Sequence, residues 1–370
     1  MEVDIIKKTI PWAKPTLFGN EKKYALDALK STWISGGPYV EKFEKEFTRY
    51  NGAKYGTTTS NGTTALQLAL LALGIGSGDE AIVPGFTFVA PANMVIAVGA
   101  KPVYADIEPK TWCIDVKSIK SCISPKTKAI IPVHLYGNVC RMEEIIGLAR
   151  SKNLFVIEDT AEAAFSKYKG KYAGTFADVG CYSFHATKNI TTGEGGMVLT
   201  DDKKLYEKMQ IIRDHGMRKD KRYWHDIIGF NFRLTNFQAA LGCAQLEKVN
   251  IILKERRRVY KTYSRELNSI PGVEMQHFPY EVQPVVWTVA IRIDPPHFKG
   301  NRDWIIRKLL EAKIETRPGF YALSLMPPYN SPPLPVSIKV SKTIITLPTY
   351  PSLTEEEIIY ICGQLKKLLN

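Results

Sequence analysis

The chain has 370 residues, 45% hydrophobic and 24% charged, with a formal net charge of +13. This is a globular balance, long enough for a large domain plus a smaller one. The basic residues are dispersed, with Arg256, Arg257 and Arg258 as the densest group and no aromatic-interleaved basic repeat, which argues against nucleic acid as a partner and for an anionic small molecule.

Six cysteines carry no CxxC pair and no histidine at zinc-ligand spacing, so neither a disulfide nor a metal framework is expected. The opening MEVDIIKKTI lacks the apolar core of a signal peptide, and the apolar run from Ala65 to Leu73 is too short to span a bilayer. The expectation is a cytoplasmic protein with no membrane partner.

In chain order, the spacing predicts a helix over Glu21–Ser31, a break at Ser35-Gly36-Gly37-Pro38, and a second helix over Val40–Tyr50. The small polar stretch Thr57–Thr64 reads as a loop opening the apolar helix that follows. Its free amides at the positive helix end suit a phosphate, although an ordinary Ser/Thr cap is the plainer reading. No GxxxxGK[ST] motif is present, which removes a P-loop nucleotide triphosphatase. From Glu80 the pattern alternates: strands over 80–83, 101–105, 127–133 and 154–157, and helices over 90–98, 116–122 and 142–151. That is the signature of parallel βαβ units, whose ligands collect at the carboxyl ends of the strands. Phe86–Phe88, His134 and Glu158-Asp159 fall at such ends, with Asp159 the best candidate; helix capping is its plainer alternative.

The stretch from Ala177 to Thr200 places Lys188 between a strand-like run, Val179–Phe184, and a glycine-rich turn leading to a second strand, Met197–Thr200. Taken alone, Lys188 could equally be a solvated loop lysine. A long helix is predicted over Cys243–Leu267, and a smaller domain from Val249, closed by a helix over Glu355–Leu369. Phosphate cradle, strand-end aromatic, strand-end carboxylate and loop lysine are together the four groups that pyridoxal 5′-phosphate requires.

Five segments then carry a resemblance over nearly the whole chain: SNGTTALQLALLALG (60–74), GDEAIVPGFTFVAPAN (78–93), VIEDTAEA (156–163), SFHATKNITTGEGGMVLT (183–200) and GFNFRLTNFQAALG (229–242). They resemble the sugar aminotransferases among the fold-type-I pyridoxal phosphate enzymes. The resemblance implies an α/β fold, with a large cofactor-binding domain (1–248) of mostly parallel sheet flanked by helices and a small C-terminal α+β domain (249–370). It implies that Lys188 bonds to the cofactor and that Asp159 pairs with its pyridine nitrogen. Gly62, Thr63 and Ser183 would hold its phosphate, Phe88 would stack on its ring, and Glu162 would face its hydroxyl. Asn231 would reach the phosphate of the neighbouring subunit, which implies a homodimer with shared sites.

The implied reaction moves an amino group from L-glutamate to C4 of a nucleotide-linked 4-keto-6-deoxyhexose. Segments near residues 33, 213 and 314 look most like the branch that uses GDP-4-keto-6-deoxymannose and makes GDP-perosamine. His185 and Ser324 depart from that branch, which keeps a UDP-linked hexose open. Family dehydratases carry histidine where this chain has Lys188, and a cofactor-binding regulator would need a DNA-binding extension for which no domain is spare.

Overall fold

The computed structural model describes residues 8–329 and 331–370. Residues 1–7, most of the segment inspected for a signal peptide, lie outside the described residues, as does Asn330.

Helices α1 (Glu21–Lys30) and α2 (Pro38–Asn51) precede the first strand. The strands β1 (Tyr55–Thr59), β2 (Glu80–Pro84), β3 (Lys101–Ala105), β4 (Thr127–Ile130) and β5 (Phe155–Asp159) alternate with α3 (Gly62–Ala72), α4 (Ala90–Ala97), α5 (Val116–Cys122) and α6 (Met142–Ser151). After a small hairpin, β6 (Lys167–Tyr168) and β7 (Lys171–Tyr172), come β8 (Val179–Ser183) and β9 (Gly196–Thr200). Seven strands make one sheet in the order β1-β9-β8-β5-β4-β2-β3. The neighbours from β3 through β8 are parallel, and β9 runs antiparallel to both β8 and β1.

Every residue of β2, β8 and β9 is buried, as a sheet covered on both faces requires. The two-residue period of a strand divides the cover. Ala81 and Val83 of β2 join the cluster built on α3 and α4, while Ile82 between them joins the cluster built on α5 and α6.

The polar loop read at Thr57–Thr64 is half strand. Tyr55–Thr59 forms the sheet edge, because β-branched threonines fit a pleated surface and their hydroxyls find a partner. Glu44 accepts the Thr57 hydroxyl (3.2 Å), the Thr58 hydroxyl (2.8 Å) and the Thr58 N–H (2.7 Å), and is itself paired to Arg213 at 2.6 Å. Arg213 ends α7 (Lys203–Arg213), a helix absent from the sequence reading. β4 stops at Ile130, short of the expected Val133, with Pro132 in the excluded piece, and β5 runs on to Asp159.

The single helix expected over Cys243–Leu267 is two, α8 (Asn236–Glu247) and α9 (Val249–Leu267), turning at Lys248 (φ −107°, ψ 8°). The two have different partners. α8 lies against α1 and α2, whereas α9 packs against the C-terminal core. That core covers a second, antiparallel sheet. Its strands are β10 (Val273–Met275), β12 (Ala290–Ile293), β13 (Arg317–Pro318) and β14 (Ile344–Thr346), in the order β10-β12-β14-β13; β11 (Val282–Gln283) instead pairs with β6. The remaining helices are α10 (Arg302–Glu311), α11 (Pro335–Ser341) and α12 (Glu355–Lys366).

The N-terminal segment crosses to this side. Ile10 is part of the C-terminal core, and the Trp12 indole N–H donates to Thr346 Oγ1 at 2.9 Å. Trp12 also packs with Phe86, Trp112 and Tyr136, so residues 10–12 bridge the two cores. Among the described residues, no helix is long and apolar enough to cross a membrane.

Candidate active site

A cleft of about 720 Å³ opens where β5 and β8 end, between the large sheet and the segments around β13 and β14. Gly62, Thr63, Phe88, Asp159, Glu162, Ser183 and Lys188 all line it, and Trp12, Trp287, Arg317 and Phe320 form the facing wall. Seven of the eight site residues named from the sequence therefore meet in one place. Asn231 does not: it is exposed, bridged to Asp214, and lines no part of this cleft.

Helix α3 supplies one end. Asn61 caps it, its Oδ1 accepting the Thr64 N–H at 2.9 Å while Thr64 Oγ1 accepts the Asn61 N–H at 3.2 Å. As the first two helical residues, Gly62 and Thr63 have no helical acceptor for their N–H groups, which leaves them for an anion beside the Ser183 hydroxyl. The approach to Ser183 is close: a Cβ on Gly62 would lie 2.7 Å from Ser183 Cβ. Only glycine brings the helix end that near.

The opposite end is charged and largely shielded from solvent. Asp159 ends β5, its Oδ1 accepting the Ala161 N–H at 3.0 Å; Oδ2 receives no hydrogen bond among the described residues. Glu162 Oε2 accepts the Tyr136 N–H at 3.0 Å, and its Oε1 lies 3.7 Å from Lys188 Nζ. The same Nζ sits 3.6 Å from the centre of the Trp287 indole, whose own N–H donates to the Thr187 carbonyl at 2.8 Å. Burial dominates the titration of all three charged groups. It lowers the Lys188 ammonium against the pull of Glu162 and Asp159, raises the Asp159 carboxyl, and pushes the Glu162 carboxyl up to about 7. Lys188 and Glu162 are thereby brought closer in proton affinity than either is in water.

The other strand-end candidates are scaffold. His134 is fully buried, with Nδ1 accepting the Cys140 N–H at 3.2 Å, so its Nε2–H donates to Glu158 Oε2 at 3.0 Å. Glu158 also accepts the N–H groups of Gly174, Phe176 and Ala177 at 2.7–2.9 Å, tying the β7–β8 connection to β5. Phe86 is buried, whereas Phe88, 54% exposed, lines the cleft and meets Phe320 at 5.9 Å between ring centres.

The sequence reading assigned none of the facing-wall residues to the site, and of the residues it missed, Trp287 and Arg256 bear directly on Lys188. Trp287 sits in the apolar run VVWTVA, where nothing distinguishes it from core. Arg256 was read only as part of the densest basic group, yet it shares a helical face with Ile252, Val259 and Tyr263, and that spacing marks it as inward-facing.

A primary amine held toward its neutral form, an unsatisfied carboxylate oxygen, and a helix end with a hydroxyl beside it are the groups that fit a phosphorylated pyridine aldehyde. Fold and cleft together define a cofactor-dependent transferase of the α/β class. Residues 15–366 match the DegT/DnrJ/EryC1/StrS aminotransferase family, and the chain belongs to it. It is 45% identical over 366 residues to a GDP-perosamine synthase of Escherichia coli O157:H7, covering 98% of this chain and 99% of that one. It is 43% identical over 362 residues to a GDP-perosamine synthase of Caulobacter vibrioides, covering 96% and 97%. Among solved structures, Spr1654 of Streptococcus pneumoniae in its PLP form superposes with a TM-score of 0.92 at 29% identity, over 97% of this chain and 98% of that one.

The raised Glu162 carboxyl has a consequence for the cofactor-free protein. The folded state holds this proton to higher pH than the unfolded chain, so the stability the group lends is full below about 4.5 and is lost as pH rises through about 7. Measured by urea unfolding against a Glu162→Gln variant, the wild type is expected to lose about 3 kcal/mol of relative stability across that window. A difference between the two that stays constant with pH would contradict the assignment.

Proposed function

We propose that this chain is a pyridoxal phosphate-dependent aminotransferase that converts GDP-4-keto-6-deoxymannose and L-glutamate into GDP-perosamine and 2-oxoglutarate. The observation that carries the reading is the Lys188 amine, largely shielded and held between the Glu162 carboxylate and the Trp287 ring in the cleft that also holds Asp159. The choice of sugar is supported by the full-length relatives named GDP-perosamine synthase.

When bound, the cofactor supplies an electron sink for the pair released as a Cα–H bond breaks. The residues of the chain do the rest. Gly62, Thr63 and Ser183 would hold the phosphate, Phe88 would cover the ring, and Asp159 would keep the ring nitrogen protonated through its free oxygen. Lys188 Nζ would hold the aldehyde carbon and, as a free amine, would take the proton from the donor carbon and return it one atom away, acting as base and then acid. Burial favours this, because lowering an amine from its ordinary range raises the fraction present as free base. Glu162, beside Lys188 and raised toward it in proton affinity, can hold the proton between steps. The same groups serve the second half-reaction, in which the amino group passes to C4 of the sugar.

The reading includes a homodimer in the cytoplasm, with the partner subunit's Asn231 completing the phosphate site, since Asn231 lies outside the cleft of its own chain. Hybrid dimers formed from Lys188→Ala and Asn231→Ala chains, each inactive alone, are expected to regain up to about a quarter of wild-type activity, because half the dimers are hybrids and each has one intact site. No recovery, although native mass spectrometry finds the hybrids, would remove the shared site.

The substrate is tested in reverse, supplying 4-amino sugar nucleotides with 2-oxoglutarate. GDP-perosamine is expected to turn over at least about a hundredfold faster than a UDP-linked 4-amino sugar, because a base site left with unpaired buried groups loses roughly 1–3 kcal/mol for each. Preference for the UDP-linked sugar would overturn the GDP assignment while leaving the aminotransferase chemistry in place.

A further inference from the structure

Behind Lys188, on the side away from the cleft, lies a cation that the transamination scheme does not use. Arg256 of α9 is 4% exposed and forms no ion pair among the described residues. Its Nη1 donates to the Trp287 carbonyl at 3.0 Å and its Nη2 to the Lys188 carbonyl at 3.2 Å. One side chain therefore ties together the segment that carries the amine and the segment that carries the ring over it. A buried, unpaired guanidinium is costly, and burial alone brings it down to about 10. Helix α9 could carry an apolar residue there, as it does at Ile252 and Val259.

A second observation comes from unpaired atoms. Thr16 Oγ1, Asn189 Oδ1 and Arg256 Nε are buried without a hydrogen-bond partner in the protein, and all three residues line one small cavity beside Lys188. Its volume is about 10 Å³, close to the space one water molecule requires. The chemistry of the lining selects the occupant. Arg256 Nε–H can only donate, and Asn189 Oδ1 can only accept, its amide being oriented by the Nδ2–H bond to the Ala164 carbonyl at 2.9 Å; Thr16 Oγ1 can do either. An anion would be repelled by Oδ1 and a metal ion by the guanidinium, whereas water satisfies all three.

We infer that Arg256 is a positioning residue for Lys188, clamping the Lys188 and Trp287 carbonyls, and that a single buried water completes the clamp by joining Arg256 to Asn189 and Thr16. The inference rests on the proposed function only for the task of Lys188. The clamp also acts through charge. Glu162 and Asp159 face the amine from the β5 end and favour its protonation, and Arg256, from α9, opposes it. His185 and Glu194 from the loop of Lys188 itself, and Arg317 across the cleft, line the same space, and Lys14 lines the small cavity. Arg256 thus offsets part of the carboxylate field without standing in the cleft.

The test uses the full-length protein without cofactor, so its outcome is independent of whether Lys188 carries one. Acetylation of Lys188 is followed by mass spectrometry between pH 6 and 10, relative to the exposed Lys203. In Arg256→Gln the labelling profile should move to higher pH, slowing Lys188 acetylation at pH 8 roughly threefold to tenfold, the effect of removing one nearby like charge. Arg256→Lys, which keeps the charge but not the two-pronged donor, should label within about twofold of wild type. It should nonetheless exchange the amide hydrogens of residues 187–190 about tenfold faster. A folded Arg256→Gln protein with the wild-type labelling profile overturns the electrostatic part, and unchanged exchange in Arg256→Lys overturns the clamp. Should Arg256→Gln not fold, the exchange measurement on Arg256→Lys still decides. A high-resolution crystal structure of the wild type should show one solvent peak roughly 2.6–3.2 Å from all three atoms. A dry cavity, or a peak touching only one of them, overturns the water.

Discussion

Taking a primary amine out of water is the constraint on which the rest of this site depends. Lys188 lies under an indole ring and beside a carboxylate, and burial outweighs both nearby carboxylates in setting its protonation. An exposed lysine at the same loop position would be protonated at neutral pH and could neither attack a carbonyl nor accept a proton. On the proposed role of Lys188, desolvation supplies the reactivity, and the walls that limit water contribute to it.

Those walls come from parts of the chain far apart in sequence. The parallel sheet brings the ends of β5 and β8 side by side, which sets Asp159 near the loop of Lys188. Glu158, one residue before Asp159, is spent on structure: with His134 and three backbone N–H groups it pins the connection leading into β8. Adjacent carboxylates on one strand point to opposite faces, so one can serve the scaffold and the other the cleft. The remaining wall depends on the second sheet. Trp287 lies just before β12, and Trp12, fastened to Thr346, meets it edge to face at 5.7 Å. Loosening the second sheet would wet the amine without touching any residue of the first.

The sequence made the first sheet and most of the cleft legible for a physical reason. Parallel strands buried on both faces read as short apolar runs, and residues at their carboxyl ends must converge, so Asp159 could be proposed from position, whereas Lys188, in the loop beyond β8, needed the other groups and the resemblance beside it. The helix start at Gly62 was readable as a cap, but naming Gly62 and Thr63 themselves took the resemblance. The misses have causes as definite. β1 hid because its threonines look like a loop until Glu44 of the preceding helix and Arg213 of the distant α7 supply partners. The break at Lys248 carries no glycine or proline, since it follows from two helices having different partners. Trp287 could not be singled out because one-dimensional spacing does not distinguish a core aromatic from one covering an amine. Asn231 stands apart: the resemblance assigns it a role in a neighbouring subunit, and a single chain leaves it on the surface.

The central claim is that Lys188 is the residue to which the cofactor is bonded, and the most direct measurement identifies that bond. Cofactor-loaded protein is reduced with borohydride, digested and mapped by mass spectrometry. The account expects the pyridoxyl adduct on one lysine, Lys188, in the peptide that includes His185 and Thr187. An adduct fixed on another lysine, with Lys188 recovered unmodified, would contradict it.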